Sequence, residues 1–212
     1  MMRLPGVLAT QRVVPVLVVD DAAFAVDAVA ALLAGGIGCA EITLRTPEGL
    51  AAIAAVARTG AGIVGAGTVL TVEDLDRVAD AGAQFIVTPG FSLEVVERAH
   101  ERGLRILPGV ATPTEVQCAL RAGIDAVKLF PADRLGGIEM IRALSGPFPT
   151  TAFVPSGGVS LANLGEYLRH PSVPAVSGSW MVSRALLQAR DLAGIERLSR
   201  EAIAVASGVS ET

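Results

Sequence analysis

The chain has 212 residues, 51% of them hydrophobic and 18% charged, so it can bury a large core and is too apolar to be disordered. Its net charge of -4 and its lack of a basic stretch exclude nucleic acid as the main partner. No run of 18 apolar residues is free of charge, so we expect no membrane span. Cys39 and Cys118 lie far apart in apolar surroundings, which is typical of reduced core cysteines and favours a cytoplasmic protein.

Two kinds of apolar segment alternate along the chain. Short β-rich runs predict strands, and stretches with helical spacing separate them. The predicted strands are Val13–Val19, Cys39–Leu44, Ile63–Ala66, Gln84–Thr88, Leu104–Leu107, Asp125–Phe130, Thr151–Val154 and Ala175–Ser177. The helical stretches include Phe24–Leu33, Leu50–Arg58, Val72–Ala81 and Leu93–Arg102.

Continuous apolar strands that alternate with helices predict a parallel sheet covered on both faces. Eight such units indicate a closed (β/α)₈ TIM barrel, with residues 1–212 forming a single α/β domain. An open doubly wound sheet is the alternative fold. The lack of a Gly-x-Gly-x-x-Gly motif after the first strand weakens that alternative.

Prolines mark one end of several predicted strands. Pro89, Pro108, Pro131 and Pro155 each stop a strand and open a loop. In a barrel of this kind these are the carboxyl ends of the strands, where active sites are built. We therefore expect the site at this end. Pro89 and Phe130 are the candidates to line its pocket, and core packing is the alternative for Phe130.

Lys128 is the only lysine among 17 basic residues, and it lies in an apolar predicted strand. An amine can lose its proton and attack a carbonyl, whereas an arginine stays protonated and forms no Schiff base. Burial among apolar groups favours the neutral amine. Lys128 is therefore the leading candidate for a covalent nucleophile. The alternative is a lysine whose stem lies along the strand and whose amine reaches water.

Glu41, Thr43 and Arg45 share one parity on the second predicted strand, so they should lie on one face. Two charged groups inside a barrel are costly unless they are paired or functional. In the functional interpretation Glu41 is an acid/base group and Arg45 clamps a carboxylate with its planar fork. The alternative is a structural ion pair of Glu41 with Arg45 or Lys128.

Two glycine-rich segments follow the seventh and eighth predicted strands. Loops at these positions often bind phosphate in (β/α)₈ enzymes through backbone N–H groups and hydroxyls. The candidate phosphate-binding residues are Ser156, Gly157, Gly158, Gly178 and Ser179. We expect neither a metal nor another cofactor, because no cluster has metal-ligand spacing, and His100 and His170 are typical of surface positions.

Several strings in this order resemble one enzyme family, over about residues 10 to 205. They are Val-Pro-Val at 14–16, Glu-Ile-Thr-Leu-Arg-Thr at 41–46, Gly-Ala-Gly-Thr-Val at 65–69, Pro-Gly-Val at 108–110, Val-Lys-Leu-Phe-Pro-Ala at 127–132 and Pro-Ser-Gly-Gly at 155–158. They are similar to those of the 2-keto-3-deoxy-6-phosphogluconate / 4-hydroxy-2-oxoglutarate aldolases. These are metal-free class I aldolases, usually homotrimers, that act on small keto acids.

The resemblance implies a role for each matching residue. Lys128 would form the Schiff base and Glu41 would be the acid/base residue. Arg45 and Thr68 would contact the pyruvyl carboxylate. The phosphate would lie against Gly157, Gly158, Gly178 and Ser179.

Two details of the strings bear on the substrate. The family commonly has threonine before Gly-Gly, where this chain has Ser156, and a hydroxyl is kept. Arg45 favours the gluconate-type branch over its galactonate-type relatives. The expected reaction is cleavage of 2-keto-3-deoxy-6-phosphogluconate to pyruvate and glyceraldehyde 3-phosphate, with 4-hydroxy-2-oxoglutarate as a second candidate substrate. The rival functions are a phosphosugar isomerase or epimerase and a non-catalytic barrel that binds a phosphorylated ligand.

Overall fold

The computed structural model describes residues 11–209, which form an α/β fold with parallel strands. The strands are β1 (Val13–Leu17), β2 (Cys39–Thr43), β3 (Ile63–Gly67), β4 (Phe85–Val87), β5 (Arg105–Leu107), β6 (Gly109–Val110), β7 (Ala126–Leu129), β8 (Ala152–Pro155) and β9 (Val176–Gly178). All eight predicted runs coincide with strands, and no end differs by more than two residues.

Helices follow most of the strands. They are α1 (Ala22–Ala34), α2 (Gly49–Thr59), α3 (Val72–Asp80), α4 (Leu93–Glu101), α5 (Pro113–Arg121), α6 (Ile138–Ser145), α7 (Leu161–Leu168), α8 (Arg184–Ala189) and α9 (Leu192–Ser207). Most begin at a capping side chain that accepts from a backbone N–H of the first turn, as Asp21 and Thr71 do. Within residues 11–209, no helix is long and apolar enough to cross a membrane.

The strands pair in parallel as a curled arrangement of two sheets. One has the order β5-β4-β3-β2-β1-β9 and the other the order β6-β7-β8. An isolated parallel bridge between Ser156 and Ser177 lies where β8 and β9 meet. The hydrogen-bonded ladders therefore show six and three strands, and not one continuous ring of eight.

Pro108 causes the break between the two sheets. We expected a loop to begin at Pro108, and this was wrong, because the chain returns to strand geometry as β6 directly after it. Proline has no N–H to donate to the ladder. Its carbonyl still accepts from the Lys128 N–H at 2.9 Å, and Gly109 then pairs in register with Lys128. β5 thus pairs with β4 while β6 pairs with β7.

Apolar side chains fill the strands, and few polar residues are buried with them. All five residues of β1 and of β2 are buried. The buried polar residues are Glu41, Thr43, Thr88, Lys128, Thr151, Ser156, Ser177 and Ser199. Two of these, Glu41 and Lys128, are charged, and both lie on strands.

Candidate active site

The site is centred on an ion pair between β2 and β7. The Lys128 Nζ lies 3.3 Å from the Glu41 Oε1, although the two residues are 87 positions apart in the sequence. Lys128 is 3% exposed and Glu41 is 1% exposed. Removing two charges from water costs several kcal/mol per ion, so such a pair adds little to stability. A buried amine in direct contact with a buried carboxylate is suited to proton exchange between the two groups.

Two further residues surround the Glu41 carboxylate, and the sequence did not single them out. The Ser177 hydroxyl on β9 is placed to donate to Oε2 at 3.4 Å. Gly67 at the end of β3 lies against the other oxygen, and a Cβ added there would be 2.2 Å from Oε1. Glu41 is thus confined by β3, β7 and β9 together.

The lack of a side chain at Gly67 gives a first prediction. Gly67→Ala should push the Glu41 carboxylate away from Lys128, because the new Cβ has no room beside Oε1. A displacement of about 1 Å in a catalytic group can lower the rate roughly 100-fold. The turnover rate of purified variants checks this. Gly146→Ala is the control, since its nearest contact would be an ordinary 3.7 Å. Equal rates in both variants would contradict the placement of Glu41.

Phe130 lies close to the lysine, and Pro89 packs against the strand beside it. The Lys128 Nζ is 5.4 Å from the centroid of the Phe130 ring, a cation–π distance. Pro89 packs against Gly109, where an added Cβ would be 2.2 Å from the Pro89 backbone. Gly109 is the residue in register with Lys128 on the neighbouring strand.

Arg45 lies elsewhere than its parity predicted. β2 ends at Thr43, so Arg45 is in the following turn, and it is exposed instead of lying inside on the face of Glu41. The Arg45 Nε donates to the Thr68 Oγ1 at 3.2 Å. The Thr43 hydroxyl donates to the Leu17 carbonyl at 3.0 Å. The structure therefore joins Arg45 to Thr68, the two residues expected to bind one carboxylate.

The predicted phosphate residues lie on two adjoining strand ends. Ser156 is buried directly after β8 and is bridged to Ser177, which precedes Gly178 and the exposed Ser179. Gly157 has a φ of 90° and Gly158 a φ of 77°, a left-handed geometry that favours glycine. A Cβ at Gly158 would also lie 2.2 Å from the Asp133 Cβ.

Gly178 serves packing as well as the loop. A Cβ added there would lie 2.2 Å from the Trp180 ring, so a larger residue would displace the indole. Ser179 follows it as the exposed residue of this segment. The exposed Ser179 thus lies two residues after Ser177, which is bridged to Ser156 at the end of β8.

Comparison with known proteins decides the family. The model of the family described as KDPG and KHG aldolase matches residues 5–198. The chain belongs to this family. KDPG is 2-keto-3-deoxy-6-phosphogluconate and KHG is 4-hydroxy-2-oxoglutarate. The chain is 45% identical to the 2-dehydro-3-deoxy-phosphogluconate aldolase of Treponema pallidum, over 92% of this chain and 93% of the relative.

Solved structures of KDPG aldolases share the fold. The enzyme of Zymomonas mobilis ZM4, crystallised with 3-phosphoglycerate, matches with a TM-score of 0.90 and 36% identity, over 98% of this chain and 96% of that one. The Legionella pneumophila enzyme was captured with pyruvate as a covalent carbinolamine intermediate. It matches with a TM-score of 0.89 and 37% identity, over 92% of this chain and 95% of that one.

The two cysteine thiols of this aldolase-family chain are not part of the Glu41–Lys128 pair. Cys39 and Cys118 are free thiols, as expected. Burial, and secondarily the Glu41 carboxylate, raises the pKa of Cys39 to about 12, so this thiol stays protonated at neutral pH. Within the described part of the chain, no three His, Cys, Asp or Glu side chains are arranged to hold a metal.

Sequence reasoning missed Ser177 and Gly67 for different reasons. Ser177 is one small polar residue in an apolar strand, and it gains a partner only because β2 and β9 lie on either side of β1. Gly67 lies within the Gly-Ala-Gly-Thr string, yet only the fold shows that Glu41 occupies the space of its missing side chain.

Proposed function

We propose that this chain is a class I aldolase that cleaves 2-keto-3-deoxy-6-phosphogluconate to pyruvate and glyceraldehyde 3-phosphate through a Schiff base on Lys128. One observation carries the proposal, namely the buried Lys128 amine 3.3 Å from the buried Glu41 carboxylate. Membership of the KDPG and KHG aldolase family supports it. 4-Hydroxy-2-oxoglutarate, which would give pyruvate and glyoxylate, is the second substrate that we propose.

The reaction begins with proton transfer and addition. Glu41 takes a proton from Lys128, and the neutral amine adds to the C2 carbonyl to give a carbinolamine. Proton transfer from Glu41 to the hydroxyl lets water leave, and an iminium forms. The positive iminium then lies where the ammonium was, beside the carboxylate. Glu41, which pairs with the ammonium in the free enzyme, therefore also stabilises the iminium.

Carbon–carbon cleavage follows from the iminium. Glu41 accepts the proton of the C4 hydroxyl as the C3–C4 bond breaks, and the aldehyde leaves. The bond electrons pass into the iminium, which becomes an enamine. The enamine takes a proton at C3, and water hydrolyses the resulting iminium. This step releases pyruvate and restores the Lys128 amine.

Arg45 and Thr68 form the proposed site for the pyruvyl carboxylate. The support is their contact at 3.2 Å, which joins a guanidinium and a hydroxyl as two donors of one site. Both donors follow strand ends on the side where β2 and β3 finish. A guanidinium binds a carboxylate through two parallel hydrogen bonds.

Arg45→Lys tests this binding role. A point charge replaces the two-pronged donor, so KM for pyruvate in the condensation direction should rise and kcat/KM should fall. Loss of one charged hydrogen bond is worth about 1.5–3 kcal/mol, or roughly 10–150-fold. Arg58→Lys, at the exposed end of α2, is the matched control. Wild-type kinetics in Arg45→Lys would mean that Arg45 contacts Thr68 but does not bind the substrate carboxylate.

The phosphate group is proposed to lie against Ser156, Gly157, Gly158, Gly178 and Ser179. The bridge from Ser156 to Ser177 supports this proposal, because it joins the two segments at neighbouring strand ends. The positive φ angles at Gly157 and Gly158 are ones that glycine adopts readily, and the lack of side chains there lets an anion approach the backbone closely. Pro89 and Phe130 are proposed to line the pocket around the pyruvyl group.

The closure of the sheets and the assembly of the enzyme are also proposals. We propose that the two sheets close into one eight-stranded (β/α)₈ barrel in a single domain. β5 and β6 would count as one strand interrupted at Pro108, and the bridge at Ser156 would close the ring. A homotrimer in the cytoplasm is proposed from the family resemblance and from the two free thiols. The molar mass in solution tests the trimer.

A direct assay tests the function. Pyruvate release is followed with lactate dehydrogenase and NADH, in the presence of EDTA, for both proposed substrates. Release from 2-keto-3-deoxy-6-phosphogluconate supports the main proposal, and the ratio of kcat/KM values gives the preferred substrate. Conversion of a phosphosugar without pyruvate release, or binding without turnover, would contradict the proposal.

A further inference from the structure

The Glu41 carboxylate has a separate partner on each oxygen, and one of them lies outside the predicted site. Lys128 contacts Oε1 at 3.3 Å, and the Ser177 hydroxyl is 3.4 Å from Oε2. We propose that Ser177 is a positioning residue for Glu41, holding Oε2 so that Oε1 carries the proton during the reaction. This inference rests on the proposed aldolase function.

The need for a second contact follows from the flexibility of a glutamate. The terminal torsion of the side chain is broad and roughly two-fold, so one bond to Lys128 leaves the carboxylate plane free to turn. A second bond on the other oxygen fixes that plane. Gly67 lies against Oε1 without filling its space, so the fixed carboxylate keeps its position beside the amine.

Ser177 itself is held by the backbone. It is the middle residue of β9, in register with Val14 of β1 and bridged to Ser156 on the other side. It is 1% exposed, so bulk water does not compete with Glu41 for its hydroxyl. The hydroxyl can therefore stay on Oε2 while Lys128 becomes a carbinolamine, an iminium and an enamine.

The hydroxyl also distinguishes the two carboxylate oxygens chemically. Ser177 keeps its hydrogen and goes on donating it to Oε2, whereas Lys128 gives up the proton that it shares with Oε1. Oε1 is therefore the oxygen that takes up the proton. Proton transfer is thereby directed to the side where the substrate is bound.

Ser177→Ala tests the proposal through the exchange of pyruvate methyl protons in D₂O, followed by NMR. The kcat for exchange should fall about 10-fold, because a hydrogen bond to a charged group is lost. KM for pyruvate should stay within about twofold, because Ser177 contacts Glu41 and not the carboxylate site. Ser199→Ala is the matched control, since Ser199 is fully buried and its hydroxyl donates to Ile195 within α9.

Ser177→Cys separates the hydrogen bond from simple space filling. A thiol has similar size but is a weak donor, so its kcat should lie well below the wild-type value. Wild-type kcat in either variant, or a loss expressed mainly in KM, would overturn the positioning role. Failure of the proposed function is distinguished by the wild-type protein, which would then not be trapped by borohydride with pyruvate at all.

Discussion

Lys128→Met should reduce the aldolase rate by roughly 10⁴-fold or more, because the variant has no amine to form the Schiff base. Methionine keeps a long apolar side chain in the 3% exposed position on β7, so the strand should still pack. The pyruvate-release assay measures the loss. A variant with more than a few per cent of wild-type activity would remove Lys128 from the mechanism.

The same substitution should also lower the free energy of unfolding. It leaves the Glu41 carboxylate buried without its cation, and removing one partner of a buried pair costs about 3–5 kcal/mol. Urea unfolding measures the change. The double variant Lys128→Met with Glu41→Gln should recover most of the stability and none of the activity. No recovery of stability in the double variant would mean that lost packing, and not the unpaired charge, causes the instability.

Glu41→Gln should slow pyruvate methyl exchange by about 10²–10⁴-fold, the usual span for a general acid/base group. The amide keeps the size of the carboxylate and can still accept a hydrogen bond from Lys128, but it accepts no proton at neutral pH. NMR in D₂O isolates this proton-transfer step from cleavage. We expect pyruvate still to reach Lys128.

Glu94→Gln, on the exposed surface of α4, is the matched control and should exchange at the wild-type rate. Exchange at that same rate in Glu41→Gln would leave Glu41 as an ion-pair partner of Lys128 only. A large rise in KM with little change in kcat would instead assign Glu41 to binding.

Residue type predicted the centre of the site better than position along a strand did. A single lysine in an apolar strand and a glutamate in another are costly to bury, so they indicated chemistry before any contact was known. The structure places them 3.3 Å apart. Parity failed for Arg45 because β2 ends at Thr43, and alternation of side chains holds only while the strand continues.

The strands could be predicted from apolar runs, whereas their pairing could not be predicted in full. Local sequence marks Pro108 as the end of a strand, yet the chain returns to strand geometry at Gly109 because β7 offers it a partner. Ser177 shows the same limit in the site. Its contact with Glu41 spans 136 positions and depends on β2 and β9 flanking β1, which no local pattern encodes.

The central claim is that Lys128 forms a covalent bond with the keto acid, and intact mass after borohydride treatment with pyruvate tests it most directly. The account predicts one reduced pyruvyl group per chain, which peptide mapping places on Lys128, and no adduct in Lys128→Met. An enzyme that releases pyruvate but is never trapped, or an adduct confined to the amino terminus, would contradict it.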